Sequence, residues 1–282
     1  MGKIKGDLTL FNWGDGIWRI IGSYYLRAWH MRWFSDHLTD GVSIKDLGED
    51  LAGFSLSGPN SKDVISKLTA SSIDELKFMG CAAMDIGLIS AKVGRLSVTG
   101  ELGYEIHCRM GDHIALRRLL LKAGSECGIR EFGFNALLSL RLEKGFGIWS
   151  AEFTQGYTPG MTGMDRWISW KKNVDYVGKI PATKEREAGK DKLKQSLVTL
   201  EIENAEAEAA GYEPLWNGNT RVGMTTSGGY GHSIDKSLAM ALVEPEFAEP
   251  GTSLKTHIVG VERNCNVISA SPWDPKGERI RM

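Results

Sequence analysis

Long hydrophobic runs are missing from this 282-residue chain. The best candidate, Leu238-Ala239-Met240-Ala241-Leu242-Val243, is far shorter than the ~20 apolar residues that a membrane-crossing helix needs. The segment from Met1 to Asp7 lacks the apolar stretch of a secretory signal. Cysteine is scarce, with only Cys81, Cys108, Cys127 and Cys265. No two of them form a CxxC pair and none lies beside a histidine at ligand spacing, which argues against a zinc or iron–sulfur centre. Scattered thiols of this kind suit a reducing compartment, so a cytoplasmic location is expected. An excess of either charge is also absent: 34 basic and 35 acidic side chains leave a formal net charge of -1. That balance excludes the electrostatic footprint of a nucleic-acid binder. Gly228-Gly229-Tyr230-Gly231 opens no helix with G-x-G-x-x-G spacing, so neither a nicotinamide nor a flavin dinucleotide loop is present. The chain has no internal repeat and no low-complexity segment.

What the chain does have is length, tryptophan and glycine. The length allows one large domain or two moderate ones. Nine tryptophans and 34 glycines point to aromatic walls and tight turns. Ile4, Leu8 and Leu10, then Trp13-Gly14-Asp15-Gly16, then Ile17 to Gly22 read as a β-hairpin. Tyr24 to Leu38 carries Tyr25, Leu26, Trp29, Trp33 and Phe34 at helical spacing. A strand pair is expected between Val42 and Ser57, and Ser57-Gly58-Pro59-Asn60 leads into a helix through Leu68. Strands occupy much of Ala82 to Cys108, followed by helices over Asp112 to Cys127 and Phe134 to Lys144, the latter stopped by Gly145. The charge run Lys184 to Lys192 reads as a solvated helix end and linker. Beyond it, Ser196 to Glu203 alternates, Trp216-Asn217-Gly218-Asn219-Thr220 is a hairpin turn, and strands recur near Leu238, Thr252 and Cys265. These predict an α+β domain followed by a small antiparallel barrel.

The chemistry concentrates in Val98-Thr99-Gly100-Glu101-Leu102-Gly103-Tyr104-Glu105-Ile106. Two glycines and two carboxylates sit there between β-prone segments. Period-2 patterning places Glu105 near a strand start between Tyr104 and Ile106. A carboxylate entering an interior needs a partner, such as a guanidinium or the flat donor edge of an amino-pyrimidine. An exposed hairpin turn with two solvated glutamates accounts for the same residues. Arg141 and Glu143 cannot face each other two apart on a helix, so each is expected to pair with another element. His30 and His232 read as structural histidines, and Trp149 and Glu152 as wall or packing residues.

Three segments, in this order and at these separations, resemble one family: Thr99-Gly100-Glu101-Leu102-Gly103-Tyr104-Glu105, Leu140-Arg141-Leu142-Glu143-Lys144-Gly145-Phe146, and Thr226-Ser227-Gly228-Gly229-Tyr230-Gly231-His232. The family is the aminomethyltransferases, the folate-binding T-protein of glycine cleavage. The chain is most similar to the folate-binding C-terminal half of dimethylglycine and sarcosine dehydrogenases. The resemblance implies an α+β folate-binding domain over residues 1–182, incomplete at its N-terminus, and a C-terminal β-barrel domain over residues 193–280. It also implies tetrahydrofolate-dependent one-carbon transfer from a small methylated amine or an aminomethyl carrier, with no flavin bound to this chain. Asp7 matches the family's catalytic aspartate, although after Gly6 it also reads as a turn residue. Glu105 matches the glutamate that holds the pterin ring, with Tyr104, Val98 and Ser23 beside it as cofactor-binding positions.

Some positions depart from the family pattern. Val98 stands where an aromatic precedes Thr-Gly-Glu, Leu137 where an arginine faces folate, and Ser23 where the T-protein has a pocket asparagine. Asn135 stands where the dehydrogenase branch carries arginine. These changes imply weaker or differently posed folate. The missing N-terminal strands imply a fragment, a misplaced start, or a bare first strand covered by a flavoprotein partner in a split dehydrogenase-type assembly or by self-association. An inactive truncated homologue is the other outcome. The family's iron–sulfur-assembly branch is disfavoured because Gly147 to Phe153 contains no cysteine.

Overall fold

The opening turn is built from left-handed backbone. In the computed structural model, which describes residues 2–203 and 206–282, Gly14, Asp15 and Gly16 all have positive φ. Glycine reaches that region freely, and aspartate is among the few other residues that tolerate it. The turn closes a two-stranded ladder of β1 (Thr9–Asn12) and β2 (Trp18–Ile21), with Phe11 opposite Arg19. A 3-10 turn at Tyr24–Leu26 then leads into α1 (Arg27–Ser35). The helix is therefore shorter than the aromatic spacing suggests. Trp33 and His37 stack at 3.9 Å where it ends.

Only one strand, β3 (Leu51–Ser57), forms between Val42 and Ser57, where a pair was expected. The preceding residues are a loop tied by charge: Arg27 pairs with Asp46 at 3.0 Å and Glu49 at 2.9 Å, and Lys45 with Asp50 at 3.0 Å. Charged residues so dense offer no apolar face to a sheet, and β3 finds its partner far along the chain. After α2 (Ser61–Ser66) come β4 (Cys81–Ile86), β5 (Ile89–Gly94) and β6 (Gly103–Arg109). They assemble in the order β3-β6-β5-β4, all antiparallel, with Ser55 opposite Glu105 and Gly53 opposite His107. α3 (His113–Ala123) completes this region. Strand alternation divides β6 cleanly. Tyr104, Ile106 and Cys108 enter a core with Ile65, Val93 and Leu116, while Glu105 and His107 take the opposite face. Residues Leu8–Gly133, with Lys276–Met282, make one compact unit.

The other compact unit comprises Met1–Asp7 and Phe134–Pro275. It contains α4 (Phe134–Glu143), α5 (Pro159–Thr162) and α6 (Lys179–Ala188), the last carrying the first part of the charge run, whose end is a 3-10 turn at Lys190–Lys192. α4 stops at Gly145, whose φ is +66° and whose backbone approaches the Ala270 carbonyl so closely that an added Cβ would lie 1.7 Å from its oxygen. The strands β7 (Ser196–Ile202), β8 (Pro214–Asn217), β9 (Thr220–Gly231), β10 (Lys236–Val243), β11 (Ser253–Ile258) and β12 (Val261–Ile268) close into an antiparallel barrel in the order β10-β7-β12-β11-β8-β9. Asn217 pairs with Thr220 across the expected tight turn. β10 is buried on both faces. Ala239, Ala241 and Val243 fill the barrel, while Leu238 and Met240 pack with Leu142 of α4. A continuous apolar run is what such a strand requires. No helix among the described residues is long and apolar enough to cross a membrane.

Candidate functional site

A cavity of about 800 Å³ lies within the unit formed by Leu8–Gly133. Its wall is contributed by β2 and the turn at Ser23, by His30 and Phe34 of α1, by Ile44 and Leu47 of the charged loop, and by the exposed face of β3 and β6. The size is in the range of small-molecule sites.

Glu105 and His107 reach this cavity because they alternate with the core residues of β6. Glu105 Oε2 lies 3.4 Å from His107 Nε2, with both side chains partly exposed. Nε2 is buried and makes no directed hydrogen bond. Above them, Phe11 presses its ring onto Gly94, where an added Cβ would lie 2.3 Å from the ring, and meets His107 edge-on at 6.0 Å. Phe11 also stacks on Trp13 at 5.5 Å. Lys92 Nζ and Arg19 Cζ both lie against the Trp13 ring, 4.7 Å and 5.6 Å from its centroid. A carboxylate, an imidazole and an apolar wall in one cavity suit a flat heterocycle with a polar donor edge.

Of the residues singled out from sequence, Glu105 and Ser23 both line this cavity. Tyr104 does not: it is fully buried in the core on the other face of β6, where desolvation pushes its phenol up and its hydroxyl has no partner. Neighbours on a strand point to opposite faces, so Tyr104 and Glu105 cannot share one pocket. Val98 is 41% exposed in the connection between β5 and β6 and is not part of the cavity wall. Asp7 belongs to the other compact unit, and burial pushes its carboxyl above the usual aspartate range. Sequence reasoning passed over Arg19 and His107. The signals were present: a lone cation within the apolar run Ile17 to Ile21, and a histidine two residues after Glu105, hence on its face.

The barrel unit holds a second polar cluster of a different kind. Arg141 Nη1 donates to Glu152 Oε2 at 3.0 Å, to the Phe146 carbonyl at 3.2 Å and to Met240 Sδ at 3.4 Å. Glu152 also accepts from Ile148 N at 2.9 Å, Thr226 Oγ1 at 2.6 Å and Ser227 Oγ at 2.5 Å. Both charges are buried, and desolvation pushes the Arg141 guanidinium below its ordinary value. This is the cross-element pairing expected for Arg141. Glu143 accepts from Ser233 N at 2.6 Å, and Lys144 pairs with Asp274 at 3.1 Å. Among the described residues, no group of three or more His, Cys, Asp or Glu side chains could hold a metal ion.

Comparisons with known proteins match nearly the whole chain. The model of the GCVT N-terminal domain matches residues 1–172, and that of the glycine cleavage T-protein C-terminal barrel domain matches residues 195–274. Mitochondrial dimethylglycine dehydrogenase of Homo sapiens is 31% identical over 264 residues, covering 92% of this chain and 30% of that protein. The Rattus norvegicus protein is 32% identical, with 95% of this chain and 31% of that protein covered. The chain thus spans less than a third of these two relatives. The aminomethyltransferase of Geobacillus sp. (strain WCH70) is 29% identical over 273 residues, covering 96% of this chain and 74% of that protein. The crystal structure of glycine cleavage system aminomethyltransferase T from Bartonella henselae superposes with a TM-score of 0.80 at 21% identity, over 97% of this chain and 73% of that one. At that identity the likeness shows the fold.

Proposed function

The chain belongs to the glycine cleavage T-protein family, and from that premise we propose that it carries out tetrahydrofolate-dependent one-carbon transfer. The donor is a small methylated amine or an aminomethyl carrier. The observation that carries this reading is Glu105, a half-buried carboxylate on the wall of a largely apolar cavity. One carboxylate can accept two parallel hydrogen bonds from the amino group and ring N–H of a pterin, a charge-assisted pair with built-in orientation. Phe34 and Leu47 supply apolar surface for the ring, and His107 sits close enough to hold the carboxylate in place. Bound tetrahydrofolate supplies the nitrogen that takes up the one-carbon unit.

Asp7 is the residue we propose to accept the proton released in the transfer. Its burial raises its affinity for a proton toward the range in which a general base works. A carboxylate at the usual value would be a weaker base. The name of the dimethylglycine dehydrogenases implies oxidation of a methylated amine. In this reading the oxidation falls to a flavoprotein that hands its iminium product to this site.

The test is a thermal-shift titration with tetrahydrofolate. The wild-type chain should gain stability by mass action, about 2.7 kcal/mol at a hundredfold excess over Kd. Glu105→Ala should lose the shift. Asp7→Asn should keep the shift while losing turnover. Absence of any shift with saturating folate would overturn the reading.

A further inference from the structure

The cavity carries a cation with no carboxylate partner among the described residues. Three cationic side chains line it: Arg19, Arg27 and Lys45. Arg27 is committed to Asp46 and Glu49, and Lys45 to Asp50. Arg19 has no carboxylate partner among the described residues. Its Nη1 is buried and donates no hydrogen bond. The alternation of β2 directs Arg19 and Ile21 inward and leaves Trp18 and Ile20 exposed. The Trp13 ring gives the guanidinium a face to lie against, but Lys92 approaches the same ring, so the neighbourhood stays electropositive. Burial lowers the guanidinium's proton affinity, which reflects the cost of holding that charge away from water. An arginine remains charged regardless, and a buried charge calls for a counter-ion.

We infer that Arg19 is an anchor for a carboxylate of the ligand, received in the same cavity whose Glu105 takes the donor edge. The planar fork of a guanidinium matches a carboxylate with two parallel hydrogen bonds. The pair thus gives the cavity polarity: an acceptor on β6 and a donor on β2. This inference rests on the cavity being the ligand site proposed above. Two sources fit the chemistry, the glutamate tail of the folate or the carboxylate of an N-methylated amino acid donor.

Calorimetric titration of the full chain separates them. Wild type, Arg19→Gln and Arg19→Lys are each titrated with four probes. Tetrahydrofolate is compared with 6-methyltetrahydropterin, which lacks the tail, and N,N-dimethylglycine with trimethylamine, which lacks the carboxylate. Arg19→Gln should weaken at least one carboxylate-bearing probe about 10- to 100-fold and leave its carboxylate-free counterpart unchanged. Arg19→Lys should recover part of the loss. A loss confined to tetrahydrofolate assigns the tail, and one confined to dimethylglycine assigns the donor. Equal affinities of wild type and a folded Arg19→Gln for both carboxylate probes would overturn the anchor, as would failure of both to bind wild type. Failure of 6-methyltetrahydropterin alone to bind wild type would instead defeat the Glu105 reading, and the dimethylglycine arm would still decide Arg19.

Discussion

Two glutamates, one in each compact unit, show what the surroundings make of the same side chain. Glu152 is sealed in the barrel unit and accepts hydrogen bonds from Arg141, Ile148 N, Thr226 and Ser227. Glu105 stands on a cavity wall with His107 at 3.4 Å. The first carboxylate has its acceptor capacity spoken for and has none left for a ligand. The second has capacity to spare, as do the Arg19 and His107 nitrogens that share its cavity. Satisfied polar groups hold a fold together, whereas unsatisfied ones facing a cavity await a partner.

That contrast can be broken by substitution. Glu152→Ala strands the buried Arg141 charge and should cost about 3–5 kcal/mol, measured by chemical denaturation. A loss near zero would show that the cluster is not structural. Gly94→Ala tests the packing beside His107: the new methyl meets the Phe11 ring, and the overpacking should cost about 1–3 kcal/mol. Glu105→Ala should change stability by no more than about 0.5 kcal/mol while removing the folate-induced thermal shift. A large stability loss there would make Glu105 a structural residue like Glu152.

The smallest effect concerns a third carboxylate. Because burial raises the folded-state pKa of Asp7, the folded state holds its proton at pH values where the unfolded chain has released it. Stability is therefore lost as pH rises from the unfolded value through the folded one. Asp7→Asn should flatten that slope and stabilise the protein slightly at neutral pH, as followed by melting temperature across pH 3 to 8.

Much of the architecture was legible because it depends on local chemistry. The Gly14-Asp15-Gly16 and Gly218-Asn219 turns, the alternation of β6 and the unbroken apolar run of β10 each state their own conformation. What escaped depends on partners distant in the chain. β3 pairs with β6 rather than with a neighbour, so the other strand of the pair expected before Ser57 is a charged loop. Tyr104 was grouped with Glu105 by adjacency, although adjacency on a strand separates side chains. Arg19 shows in the sequence as a lone cation in an apolar run, but its lack of a partner does not, because an unpaired guanidinium is defined only by what fails to reach it. Glu152 reads in the sequence as a wall or packing residue, and its role as a charge partner stays hidden because three of its partners lie on other elements.

β10 has a consequence for how the barrel comes apart. Its inner face fills the lumen and its outer face is capped by Leu142, so β10 cannot part from β7 and β9 without losing its packing on α4 as well. Helix and seam should open in a single concerted event, and the amides of Leu238 to Val243 should be among the last in that unit to trade protium for deuterium.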